Sequence, residues 1–346
     1  METEESLAVK TKKTKGEQTR VFLRKHELLK TNLKIKRSND YLLIPVKRSI
    51  KEFNDFIIVT SSFEKTKQTI HNYQDLLNLP NELQSQLPTS FDIIGDILLF
   101  KLPEELQNFS SEIGRALLQT HAHVNTVCII DPVSGELRRR NVHVIAGEQK
   151  TVTMHKEYGL WFKVDVEKTY FSPRLATERK RISNLIEKDD LVFDMFCGVA
   201  PFSVMIATFA HPSKVIAVDK NPDAIRLAQQ NIQNNNVSDK IIVINDDALN
   251  TKKILSYHQI NPNHIIMNLP FSAFEFFPLA LQVIKDKGMI HYYDMIEENS
   301  IEERIDQLKS AAQKYDSTLV ETTVHKIKTY APHEFYIGID ITVSKN

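Results

Sequence analysis

Four polar side chains stand where short apolar runs end. Asp194 follows Leu191-Val192-Phe193, Asp219 follows Val215-Ile216-Ala217-Val218, Asp247 comes soon after Ile241-Ile242-Val243-Ile244, and Asn268 closes His264-Ile265-Ile266-Met267. Runs of this kind, bounded by turn residues, read as buried parallel strands. Open α/β sheets bind ligands at the carboxyl ends of such strands. An acid at the end of the second strand sits over the crevice, where it accepts hydrogen bonds from both hydroxyls of a ribose. The loop after the first strand, Asp194-Met195-Phe196-Cys197-Gly198-Val199-Ala200-Pro201-Phe202, holds one glycine. A dinucleotide site wants G-x-G-x-x-G, whose extra glycines admit a pyrophosphate. A ligand with a ribose but no phosphate fits this loop better, and S-adenosylmethionine is the common one. The bland alternative is an α/β unit that binds nothing. Four polar strand ends in succession count against it.

The elements that must position these groups are legible around them. Pro201 suits the first turn of a helix, because its missing N–H would be unpaired there anyway. Gly198 lets the loop adopt positive φ or lets a ligand approach the backbone. Lys220-Asn221-Pro222 leads into a second helix reaching about Asn235. Beyond Pro270, Gly288–Asp294 reads as a fifth strand, and 318–324 and 334–341 read as two more, forming a hairpin.

Three motifs, Asp194–Phe202, Ala217-Val218-Asp219-Lys220-Asn221-Pro222 and Met267-Asn268-Leu269-Pro270, resemble the archaeal and eukaryotic tRNA (guanine-N1)-methyltransferases. That family methylates the guanosine just 3′ of the anticodon, position 37. The match runs from about Arg20 to the C-terminus, and Asn-Leu-Pro is its most telling motif. Ala200 stands where glycine is usual in the family. The resemblance implies a Rossmann-like seven-stranded class I methyltransferase domain, with a smaller α/β middle domain and a small N-terminal α/β module. It implies S-adenosyl-L-methionine as cofactor, no metal, tRNA as partner through its anticodon stem-loop and outer corner, and a monomer. The cofactor set it suggests is Arg174, Asp194, Phe196, Gly198, Pro201, Phe202, Asp219, Lys220, Asn221, Asp247, Ala248 and Asn268.

The resemblance also weights residues that spacing alone would leave as surface charges. Tyr170, Arg174 and Glu178 match the family motif directly before the cofactor strand, and Arg138 of Arg138-Arg139-Arg140 matches an arginine of the family's active site. Arg174 and Glu178, four apart, are expected on one helical face, with Ser172 as cap and Pro173 as start. Neutral guanine N1 is a poor nucleophile. A carboxylate at N1–H, here Glu178, acts as base while a cation at O6, here Arg138, stabilises the developing charge. Asn268 and the Leu269-Pro270 turn hold the base edge, and Tyr170 offers a stacking surface for a flipped base.

The 346 residues allow two or three domains, and 42% hydrophobic and 25% charged content are globular values. No apolar run approaches the ~18 residues of a membrane helix, and two cysteines are too few for a disulfide framework or a zinc site. A cytoplasmic setting follows. Net charge is zero, yet residues 1–50 hold 13 Lys and Arg against 6 Asp and Glu. That asymmetry suggests a basic module meeting nucleic acid. The division expected is a disordered basic tail at 1–16 and a small tRNA-binding module at 17–66. A middle α/β domain with its linker follows at 67–168, then the methyltransferase domain at 169–346. Lys34, Lys36, Arg37, Lys47 and Arg48 are the candidate phosphate contacts of the module. Two rivals remain. One is an aminocarboxypropyl transferase of wybutosine synthesis on the same fold, and the other is a non-catalytic tRNA-binding protein.

Overall fold

A computed structural model of the chain describes residues 3–38, 40–49, 56–65, 72–131, 141–331 and 333–345. They fall into two units, Met1–Asp75 and Leu76–Asn346. In the first, the expectation of a disordered tail is overturned. Thr3–Lys12 is a strand, β1, followed by the helix α1 (Gly16–Lys25) and the strands β2 (Lys36–Arg37), β3 (Tyr41–Pro45) and β4 (Ile57–Glu64). The sheet order is β2-β3-β1-β4, so β1 is central and antiparallel to both neighbours. The cause is its short apolar centre. Val9 packs with Leu23, Leu28, Ile44 and Val46, while Ala8 points the other way and packs with Leu33 and Phe63. Alternation along a strand serves both faces at once, and the charged residues flanking this centre conceal it in the sequence. Of the basic residues named above, Lys34 is committed to Glu64 at 2.9 Å.

The second unit begins with a short helix, α2 (Asn81–Gln84), and a four-stranded sheet. The sheet comprises β5 (Asp92–Ile94), β6 (Ile97–Phe100), β7 (Thr126–Ile130) and β8 (Val142–Gly147), with α3 (Ser110–Thr120) between β6 and β7. Arg138, Arg139 and Arg140 lie outside the described residues. Next comes a two-stranded ribbon, β9 (Val152–Glu157) and β10 (Leu160–Asp165). The polar side chains of β9 hid its alternation.

The large sheet follows. Its strands are β11 (Leu191–Asp194), β12 (Lys214–Asp219), β13 (Ile241–Asn245), β14 (His264–Met267), β15 (Gly288–Glu297), β16 (Ser317–Ala331) and β17 (Glu334–Lys345). They lie in the order β13-β12-β11-β14-β15-β17-β16. The first five are parallel, and β17 runs antiparallel to both β15 and β16. The helices α4 (Ala176–Leu185), α5 (Pro201–Phe209) and α6 (Pro222–Asn234) cover one face. The other is covered by α7 (Thr251–His258), α8 (Ala273–Val283) and α9 (Ile301–Gln313). Both faces being buried explains the nearly continuous apolar strands. Among the described residues, no helix is long and apolar enough to cross a membrane.

Candidate active site

The carboxyl ends of β11, β12, β13 and β14 open into a cavity of about 570 Å³. Its lining includes Tyr170, Phe196, Gly198, Pro201, Phe202, Asp219, Lys220, Asn221, Asp247, Ala248, Asn268 and Pro270. Twelve sequence-predicted residues are therefore gathered in one place. The volume lies within the range of small-molecule sites.

Asp219 organises the near wall. Its Oδ2 accepts from the N–H of Gly198 at 2.8 Å, and its Oδ1 accepts from the N–H of Asn221 at 2.8 Å. One carboxylate thus fixes both the loop after β11 and the start of α6. Burial raises its pKa, opposed by the N–H groups of Asn221 and Gly198. A carboxylate offers about four lone-pair directions, so two remain for a ligand diol. Gly198 has φ +55°, and a Cβ built on it would meet only the Tyr170 carbonyl oxygen, at 3.8 Å. The loop therefore faces open space rather than packed protein. Asn221 caps α6 by accepting from Asp223 N–H, and its Nδ2 donates to the Lys168 carbonyl at 2.9 Å. Asp247 spends Oδ1 on the Leu249 N–H at 2.9 Å. Acceptors at Asp219 and Asp247 around apolar Phe196, Pro201 and Ala248 fit a nucleoside with a free sugar diol and an amino-bearing base. They fit S-adenosylmethionine in particular.

Asp194 sits beneath this wall rather than in it. Ser203 Oγ donates to its Oδ2 at 2.7 Å, while Oδ1 is buried and has no hydrogen-bond partner among the described residues. Burial, with Ser203 opposing and the charge of Asp219 adding, pushes its pKa up to about 7. Its place supports the loop from below.

On the far wall, Asn268 accepts a short hydrogen bond at Oδ1 from the Tyr336 hydroxyl. That partner fixes the amide orientation and leaves the Nδ2 hydrogens for an acceptor. Phe271, the next residue after Pro270, holds φ +83°, is 59% exposed, and meets the exposed Tyr330 ring edge-on at 6.2 Å between centroids. Together they form an aromatic rim.

Besides Asp194, two predicted residues lie outside the cavity lining. Arg174 bonds through Nε to Asp92 at 2.7 Å and through Nη2 to Ser90 at 3.1 Å. It sits on a 3₁₀ turn, Pro173–Leu175, that precedes α4, so the four-residue spacing does not place it beside Glu178. Ser172 makes no side-chain cap there. Glu178 is 6% exposed and outside the lining. Its carboxylate accepts from Arg181 Nε and Nη2, both at 2.8 Å, and from the Tyr293 hydroxyl at 2.8 Å. Arg181 also binds Asp340, through Nη1 at 2.5 Å. Asp340 in turn takes His291 Nδ1 at 2.7 Å, and His291 Nε2 meets His264 Nδ1 at 3.1 Å.

Sequence reasoning missed Arg179. It lines the cavity yet is 2% exposed, held by Glu157 at 2.7 Å from Nη1 and by the Ser172 carbonyl at 2.9 Å from Nη2. A signal existed: Arg179 stands three residues before Ile182 and seven before Ile186, on the apolar stripe of α4.

Comparison with known proteins agrees with this geometry. Residues 153–320 match the TRM5/TYW2 methyltransferase domain, 73–151 the TYW2 N-terminal domain, and 8–54 the tRNA methyltransferase 5 N-terminal domain. The chain is 39% identical to tRNA (guanine(37)-N(1))-methyltransferase Trm5b of Pyrococcus abyssi, over 98% of its length and 99% of the relative's. A crystal structure of that enzyme aligns with a TM-score of 0.79. A complex of aTrm5 with tRNALeu aligns at 0.75, with 30% identity over 98% of this chain and all of that one. Methanocaldococcus jannaschii Trm5 in complex with adenosine aligns at 0.64, with 29% identity and the same coverage. A tRNA(Phe) (4-demethylwyosine(37)-C(7)) aminocarboxypropyltransferase of Pyrococcus horikoshii is 32% identical over 78% of this chain and 94% of its own length.

Proposed function

We propose that this chain, which belongs to the TRM5/TYW2 methyltransferase family, transfers the methyl group of S-adenosylmethionine to N1 of guanosine 37 in tRNA. The observation that carries the reading is a full-length match to a tRNA (guanine(37)-N(1))-methyltransferase, on a fold whose cavity is lined by both Asp219 and Asn268. The cofactor, when bound, supplies a methyl already activated on a sulfonium. Asp219 would receive the ribose diol and Asp247 the adenine amino group, with Phe196, Pro201 and Ala248 excluding water. Asn268, its amide turned by Tyr336, would donate to guanine O6, and Tyr170 would stack on the extruded base. The remaining task is alignment, so that nitrogen meets carbon in line.

Glu178 is the proposed base, acting after a rotamer change that frees it from Arg181 and Tyr293. Arg181 would not be orphaned by that change, because Asp340 still holds it. Arg138 is the proposed cation at O6. The same reading takes tRNA by its anticodon stem-loop and outer corner, with a monomeric enzyme in the cytoplasm.

The decisive experiment incubates an unmodified tRNA transcript with methyl-labelled cofactor and maps the product base. Label at N1 of guanosine 37 supports the reading. A rival exists in the aminocarboxypropyl transfer named by the P. horikoshii relative. Label placed in the carboxyl carbon of the cofactor instead would appear in RNA only under that rival.

A further inference from the structure

The ribbon β9–β10 carries a second surface, on the face turned away from the core. Cross-strand register pairs Trp161 with Lys156 and Lys163 with Met154. Alternation buries Thr153, Glu157, Leu160, Phe162 and Val164, and leaves the intervening residues outward. Val152 is 39% exposed, Met154 40% and Trp161 45%, a large indole to leave in water. Lys156 Nζ lies 5.1 Å from the centre of the indole ring. These residues form one side of a depression of about 720 Å³ whose other side includes His123 and Lys150.

The charges of this surface favour an anion. Lys150 is spent on Asp96 at 2.6 Å and Glu148 at 2.7 Å, so Asp96, the acid that lines the depression, is paired. Lys156 and Lys163 have no acidic partner among the described residues. The outer backbone of β10 is already engaged. The outer N–H and C=O groups of Trp161 and Lys163 are taken by the side-chain amides of Asn235 and Asn231, at 2.6 to 3.1 Å. A protein strand therefore finds no open edge at Trp161 and Lys163 of β10.

The ribbon is also fastened to the cavity. Asn231 donates to the Val199 carbonyl of the cofactor loop at 3.0 Å. On the inner face, Glu157 grips Arg179 of the cavity wall at 2.7 Å. Whatever rests on the outer face is held at a fixed offset from the reacting centre.

We infer that this face is an RNA platform. Trp161 stacks on one unpaired base of the substrate outside the target nucleotide, and Lys156 and Lys163 contact the adjacent phosphates. An aromatic plane flanked by cations suits a base and its backbone, since every base has a π-face and phosphates are met by lysine. The inference rests on the RNA-methylating reading above and names a contact which that reading does not require.

The chain has a single tryptophan, so its fluorescence reports on this position alone. Titrating the full chain with unmodified tRNA transcript, without cofactor, should quench the emission, saturating where filter binding saturates. Trp161→Ala should raise the KM for tRNA about five-fold or more, the low end of what one stacked base contributes, leaving kcat and cofactor affinity unchanged. Trp161→Phe should recover most of the loss and guards against a folding defect. Lys156→Ala with Lys163→Ala should make binding less sensitive to salt. If RNA binds and is methylated while the emission and the KM of Trp161→Ala stay as they were, the platform is wrong and the methylation reading stands. If wild-type chain neither binds nor methylates RNA, both fall. Emission that changes with protein concentration alone would show a second copy on this face and would overturn the platform.

Discussion

The two walls of the cavity differ in how complete they are. On the wall made by β11, β12 and β13, the groups that would hold the cofactor already have their supports: Asp219 bridges Gly198 and Asn221, and Asn221 caps a helix. On the wall proposed to face the base, Asn268 is oriented by Tyr336, but Glu178 lies behind the lining, clamped by Arg181 and Tyr293. The first wall is made of strand ends and the turns that follow them. Its groups are set by local backbone. The second draws on α4, β14, β15 and β17, and its acid is held by side chains that have other partners. Such an arrangement suits a wall finished only when a large substrate arrives, because side-chain pairs exchange more readily than strand ends move.

The sharpest way to break this contrast is Glu178→Gln. As the base, its loss should lower the single-turnover rate by roughly 10²–10⁴-fold, with cofactor affinity by calorimetry nearly unchanged. A rate within twofold of wild type would mean that the clamped carboxylate has only a structural role. Asp219→Ala tests the other wall and should do the opposite. Each charge-assisted hydrogen bond is worth about 1.5–3 kcal/mol, so losing the diol contact should weaken cofactor binding roughly ten-fold or more. Unchanged calorimetric affinity would dismiss the ribose assignment.

The same contrast decides what could be read from the chain before its fold was known. Strands β11 to β14 and their polar ends were legible because periodicity and turn residues are local signals. Strand β1 was not, since three apolar residues, Leu7, Ala8 and Val9, are outnumbered by charged neighbours and matter only once β3 and β4 flank them. The placement of Arg174 was misjudged for a local reason, a 3₁₀ turn that shifts the register by a fraction of a turn. Glu178, Arg181 and Asp340 show the other kind of failure. Their contact spans 159 residues, and no spacing rule reaches that far.

Acid should act on the two sides of the site with opposite signs. Burial, reinforced by His291 and opposed by Asp340, lowers the pKa of His264 to about 3. An unfolded histidine takes a proton near pH 6.5, so the folded state binds fewer protons between those values. Stability is therefore full above about 6.5 and falls as pH drops towards 3, by up to about 1.4 kcal/mol per pH unit. Asp340 adds to this at the acid end. Burial would raise its pKa, but hydrogen bonds from His291 and Arg181 outweigh it and hold it well below the usual carboxylate range. Its contribution is present above the unfolded value and is lost as pH falls below that. Asp194 works the other way: its folded pKa of about 7 lies above the unfolded carboxylate value, so the folded state gains stability as pH falls between the two. The histidine contribution is therefore read as the difference between wild type and His264→Gln in urea unfolding at several pH values. That difference should shrink as pH drops from 6.5 to 4, and a difference that stays constant would place the titrating group elsewhere.

The smallest effect tests how finished the cofactor wall is. Ala200, at the start of α5, has φ +63° and ψ +37°, a left-handed conformation in which a Cβ costs about 1–2 kcal/mol. Glycine would relieve that strain. The alanine methyl is wholly buried, however, and removing one buried carbon forfeits about 0.8 kcal/mol. Glycine also makes the unfolded chain more flexible, which costs about 0.4–1 kcal/mol. The terms nearly cancel, so Ala200→Gly should move the midpoint of thermal unfolding by no more than a few degrees and leave cofactor affinity within about twofold. A large loss of affinity would mean that the methyl group shapes the loop for its ligand. The wall would then depend on packing at residue 200 as well as on the carboxylate of Asp219.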